Sequence, residues 1–88
     1  MLSPVAPSLD SLIAKLTPRQ MEIAALLVEG RTNREIASLL SISVDAVNTH
    51  LREMRWKTNT DNRTQLVVLI VKWKMVHNDT RQYLHSKA

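Results

Sequence analysis

The stretch NREIASLLSISVDAVNTHLREM, residues 33–54, carries two apolar runs at helical spacing, parted by Ser41-Ile42-Ser43. Ile36, Leu39 and Leu40 supply the apolar face of the first run, and Ala37 keeps one position small. Thr32 with Glu35 makes a capping box ahead of it, so a helix opens near Asn33. Ser43 caps the second run, where Val44, Val47, Leu51 and Met54 share one narrow arc of a 3.6-residue wheel. Asp45, Asn48, Thr49, Arg52 and Trp56 fall on a different arc. Neither glycine nor proline marks the joint. A buried Ile42 and a Ser cap are expected to set it without one.

A short helix and a longer one with an apolar inner stripe, joined by three residues, describe a helix-turn-helix. Ala37 belongs at the closest crossing, Ile42 drops into the core, and Val47 packs back on the first helix.

The boundaries outside this unit are equally local. Thr17-Pro18 with Gln20 forms another capping box with proline at the first helical position. Ile23, Leu26 and Leu27 follow as a buried stripe, and Gly30 stands where that helix must end. Asn62 with Gln65 opens a last helix, apolar almost all round from Leu66 to Val76. Its β-branched residues would also suit a strand, but its length, its cap and the lack of a second strand favour helix. At the front, Leu9, Leu12, Ile13 and Leu16 leave room for a short amphipathic helix over residues 9–15. The expected fold is all-α, four helices with a short fifth open at the N-terminal end. Residues 1–15 read as a leader, 16–76 as the domain, and 77–88 as a polar, frayed tail.

Eighty-eight residues suffice for one small domain. Phenylalanine is absent, so the two tryptophans and the aliphatic residues are expected to fill the interior. The absence of cysteine excludes disulfides and thiolate metal sites and fits a reducing cytosol. The longest apolar run, Leu66 to Val71, falls far short of the ~20 residues that span a bilayer. No secretory signal is visible, so a cytoplasmic protein without a membrane partner is expected.

The net charge of +4 is unevenly placed. Residues 1–50 hold four Lys/Arg against five Asp/Glu, whereas residues 51–88 hold eight against three. A basic excess of this kind points to an anionic partner, nucleic acid first. A major groove ~12 Å wide admits one α-helix whose exposed side chains meet base edges. Asn48 offers a bidentate pair to adenine, Arg52 one to guanine, and Thr49 a contact to a thymine methyl or a phosphate. The N-terminal amides around Thr32 and Asn33 suit a phosphate, assisted by the helix dipole.

The chain from Leu16 to about Ile70 closely resembles the DNA-binding domain of the LuxR/FixJ family of bacterial transcription regulators. The matching blocks are Leu16-Thr17-Pro18-Arg19, Glu29-Gly30, Asn33-Arg34-Glu35-Ile36-Ala37, Ile42-Ser43, Val47, Thr49-His50 and Asn62-Arg63-Thr64. The resemblance implies a four-helix domain whose third helix reads duplex DNA and whose fourth pairs two domains into a homodimer. It places Asn48, Thr49 and Arg52 at bases, Thr32 and Lys57 at phosphates, and Val68, Val71 and Lys72 near the two-fold axis. The all-round apolar last helix fits that pairing independently, because it must be covered on more than one side. Another regulator or RNA polymerase stands as a further partner.

Several positions depart from the family. Asn48 stands where lysine is common, and Trp56 where a basic residue is. Gln20 replaces the usual glutamate, and Thr58-Asn59-Thr60 replaces a Leu-Gly-Val pattern, which predicts a softer end to the second helix of the pair. His50, His77 and His85 lack a metal-ligand spacing, and no glycine-rich loop or catalytic set is present. An enzyme and a cofactor are therefore not expected. The alternative is a protein-interaction module, a helix-turn-helix domain that pairs with and modulates a larger regulator through its apolar last helix, Trp56 and the front helix.

Overall fold

The computed structural model describes the backbone of residues 7–87 and the side chains of residues 7–77. Five helices follow in order: α1 Leu9–Ile13, α2 Pro18–Val28, α3 Asn33–Leu40, α4 Val44–Lys57 and α5 Arg63–Lys87. No strand occurs among the described residues. The expected all-α fold with a short front helix is the one observed. The first part of the leader, residues 1–6, lies outside the described residues.

The caps explain the starts. The Thr17 hydroxyl accepts from the Gln20 amide, and the Gln20 side chain accepts from the Thr17 amide, both at 3.1 Å. Thr32 and Glu35 repeat the exchange for α3, Ser8 caps α1, and Ser43 caps α4. At α5, Asn62 accepts from the Gln65 amide at 2.9 Å.

The ends of α2, α3 and α4 share one device. In each, a residue at positive φ lets the next amide reach back five residues: Arg31 to Leu26, Ile42 to Ala37, Thr60 to Arg55. The left-handed residues are Gly30 (φ 84°), Ser41 (φ 57°) and Asn59 (φ 57°). Asn59 suits this conformation, because asparagine tolerates the left-handed region better than most residues. Ser41 corrects the reading of the turn: its isoleucine packs against the core but is only half-buried, the Ser43 cap is present, and the joint also bends through the left-handed region. That conformation costs an L-residue roughly 1–2 kcal/mol.

The core is aliphatic. Leu12, Ile13, Leu16, Ile23, Ala24, Leu27, Ile36, Ala37, Val47, Leu51, Met54, Leu66 and Ile70 are buried, so every helix contributes. Neither tryptophan fills the interior as expected. Trp56 is 81% exposed, and Trp73 is half-buried, its indole donating to Asp10 at 3.0 Å. Leu39 and Val44 also leave their expected places, at 54% and 39% exposed. The reason is geometric: α3 leans mainly on α4, so Ile36 and Ala37 occupy the covered side and Leu39 lies outside it. Val44 is the first residue of α4, ahead of the buried Val47 turn.

α5 does not stop at Val76 but continues to Lys87. Residues 63–87 contain neither glycine nor proline, so nothing in the backbone chemistry ends the helix there. Among the described residues no helix is long and apolar enough to cross a membrane.

Candidate nucleic-acid interface

α4 is divided lengthwise. Val47, Leu51 and Met54 are at most 4% exposed and hold one side against the core. Asp45, Asn48, Thr49 and Arg52 are exposed on the other, and Trp56 continues their arc one turn beyond Arg52. The division follows from the 3.6-residue period, because residues separated by three or four positions stack on one side. The result is a polar strip of amide, hydroxyl and guanidinium groups on a helix whose back is fixed by packing.

The N-terminus of α3 stands beside this strip. Asn33 donates from Nδ2 to Asn48 Oδ1 at 2.8 Å, joining the first turn of α3 to the outer face of α4. The Thr32 hydroxyl accepts from the Glu35 amide, and its own proton remains to donate. The Asn33 side chain is also occupied from the other side: Arg63 donates from Nη1 to its Oδ1 at 2.6 Å and from Nη2 to the Arg31 carbonyl at 2.9 Å. Sequence reasoning missed Arg63 as a participant, since its partners lie about thirty residues upstream.

Lys57 lies at the other end of α4, half-buried, and donates from Nζ to Gln20 Oε1 at 2.8 Å. Gln20 is fully buried. Its amide nitrogen donates to Glu53 Oε1 at 3.0 Å and approaches His50 Nδ1 at 3.4 Å. Oε1 therefore accepts from Thr17 and Lys57 while Nε2 serves Glu53 and His50, so both ends of the amide are engaged. His50 thus lies at the contact between α2 and α4. The sequence reading found Gln20 as a capping residue and missed its second task. The available signal was His50, Glu53 and Lys57, three polar residues at helical spacing on α4.

The Thr58-Asn59-Thr60 end is closed by polar groups in place of aliphatic packing. Thr58 is 1% exposed, and its hydroxyl donates to the Met54 carbonyl at 2.7 Å and lies 3.0 Å from the Thr60 hydroxyl. Burying a hydroxyl without a partner would cost about 1–3 kcal/mol, which this bond avoids.

The residues expected at a two-fold axis lie on α5. Val68 is 46% exposed, Val71 is half-buried and Lys72 is exposed. Val68 and Lys72 border a shallow groove of about 270 Å³ with Leu9, Thr60, Thr64, Gln65 and Leu69.

A sequence model of the family described as "Bacterial regulatory proteins, luxR family" matches residues 14–70. The chain is 37% identical over 68 residues to a probable transcriptional regulator, ycf29, of Pyropia yezoensis, covering 77% of this chain and 31% of that protein. It is 47% identical over 58 residues to a monoamine regulon transcriptional regulator of Klebsiella aerogenes, covering 66% and 26%. It is 42% identical over 53 residues to the transcriptional regulatory protein LiaR of Bacillus subtilis, covering 60% and 25%. The chain thus spans roughly a quarter to a third of the length of these relatives. No solved structure matches it significantly.

Proposed function

Because the chain belongs to the luxR family of bacterial regulatory proteins, we propose that it binds duplex DNA sequence-specifically as a homodimer and so regulates transcription. α4 enters the major groove with Asn48, Thr49 and Arg52 toward base edges. Thr32, Asn33 and Lys57 meet phosphates, and α5 pairs two chains through Val68, Val71 and Lys72. The observation that carries this reading is the exposed strip on α4, backed by a buried face and flanked by the first turn of α3. A helix held in this way offers donors and acceptors at fixed positions, which base readout requires.

Phosphate contact has three sources. The Thr32 hydroxyl has its proton to give, the first amides of α3 carry the positive end of the helix dipole, and Lys57 keeps two ammonium protons beyond the one on Gln20. For pairing, Val68 and the groove beside it supply apolar surface that a second copy would cover.

Fluorescence titration of the purified chain with random and selected duplexes tests the reading. Binding that weakens steeply with added salt, and is tighter for selected sequence, is expected. The exposure of Trp56 and Leu39 favours a second reading, a module that docks on a larger regulator. Absence of any DNA binding at low salt would select that one.

A further inference from the structure

Three side chains from three helices form one hydrogen-bonded chain: Arg63 at the start of α5, Asn33 at the start of α3, and Asn48 on the exposed face of α4. Its direction is dictated by its first member. A guanidinium has five N–H donors and no acceptor, so the Asn33 atom facing it at 2.6 Å must be the carbonyl oxygen. The opposite corner of the Asn33 amide is then its NH2 group. That group donates to Asn48, whose facing atom must in turn be Oδ1, at 2.8 Å. Asn48 is left with one carbonyl lone pair already used and with its NH2 group uncommitted. The second guanidinium bond, to the Arg31 carbonyl at 2.9 Å, holds the fork in place and keeps the chain from reversing.

We infer that Arg63, acting through Asn33, fixes the hydrogen-bonding polarity of Asn48, so that Asn48 meets DNA as a donor and prefers guanine to adenine. The assignment takes the groove placement of α4 proposed above as its premise. An asparagine free to turn pairs with adenine by donating to N7 and accepting from N6. Here the oxygen that would accept from N6 is turned toward Asn33 with one lone pair in use, whereas guanine shows two acceptors, N7 and O6, to the uncommitted NH2 group. Arg63 and Asn33 are thus positioning residues for base choice, in addition to joining the three helices.

The polarity is reversible by one isosteric change. Asn33→Asp keeps an acceptor toward Arg63 but cannot donate to Asn48. Asn48 must then turn its NH2 group inward and show its oxygen to the groove. Arg63→Lys, donor-only like arginine, preserves the original polarity, and Arg63→Met removes the constraint.

Selection of bound duplexes from a random pool reads the outcome directly, with circular dichroism verifying that each variant is helical. Asn48→Ala identifies the base position that depends on this side chain. At that position the parent chain is expected to prefer guanine over adenine by roughly fivefold to tenfold. Asn33→Asp should reverse the preference toward bases that offer an amino donor, adenine or cytosine. Arg63→Lys should retain guanine, and Arg63→Met should flatten the choice. The added charge of Asn33→Asp weakens binding uniformly across sequences, which is separable from a change at one position. An adenine preference in the parent, or a guanine preference that Asn33→Asp leaves intact, overturns the relay while DNA binding stands. A parent chain that enriches no sequence overturns the groove placement and the relay with it.

Discussion

Lys57 donates to Gln20 Oε1 at 2.8 Å, although the two residues lie on different helices and Gln20 has no exposed surface. One buried amide thereby caps α2, through Thr17, and anchors the C-terminal turn of α4. Replacing it with Gln20→Leu keeps the approximate volume and removes every polar partner. A loss of about 1–3 kcal/mol is expected from the donors left unpaired, read as a lower urea midpoint. Lys57→Met should cost less than about 1 kcal/mol, because Lys57 is only half-buried. Equal effects of the two would show that Gln20 matters only as the partner of Lys57.

Ser41 and Gly30 make opposite predictions. Ser41 holds φ 57° with a side chain, so Ser41→Gly relieves steric cost and should stabilise the domain by up to about 1 kcal/mol. Gly30 holds φ 84°, and a Cβ added there meets nothing within 4 Å. Gly30→Ala should therefore destabilise by about 1 kcal/mol through backbone strain alone. Thermal unfolding checks both, and a Ser41→Gly variant of lower Tm would refute the assigned turn geometry.

Arg52→Ala and Lys57→Ala should separate base reading from phosphate contact. Loss of Arg52 is expected to remove about 1–3 kcal/mol of discrimination at one base position. Loss of Lys57 should weaken all sequences alike and reduce the salt slope by about 1. Titrations of cognate and scrambled duplexes at several salt concentrations distinguish the two. An Arg52 variant that keeps full discrimination would require a different rotation of α4.

Val68→Glu tests pairing through α5. Val68 is 46% exposed, so the charge is tolerated in a single chain and buried in a pair. Light scattering should show a shift from dimer to monomer, with helix content unchanged by circular dichroism. A dimer of undiminished stability would place the pairing surface elsewhere.

How far the sequence could be read depends on the range of the interaction. Thr17 with Gln20 and Thr32 with Glu35 were legible because a capping box closes within four residues. The inner stripe of Val47, Leu51 and Met54 was legible because burial follows the helical period. Leu39 was misplaced because periodicity tells which residues share a side, but not how much of that side a neighbour covers; Trp56 was assigned to the interior by composition, whereas its place on the outer arc of α4 was right. The helix end at Val76 was misplaced because a fall in hydrophobicity does not break a backbone that lacks glycine and proline.

The polar arc of Asn48, Thr49 and Arg52 is a property of sequence spacing. Its chemistry is not. Whether Asn48 shows an oxygen or a nitrogen depends on Asn33 and Arg63, and the reach of Lys57 depends on Gln20. Fold class, helix starts and the exposed strip were determined by the sequence alone, because caps and periodicity act within a turn or two. The orientation of the groups on that strip was decided only by tertiary structure, because hydrogen bonds spanning 15 to 37 residues exist only once the helices have packed.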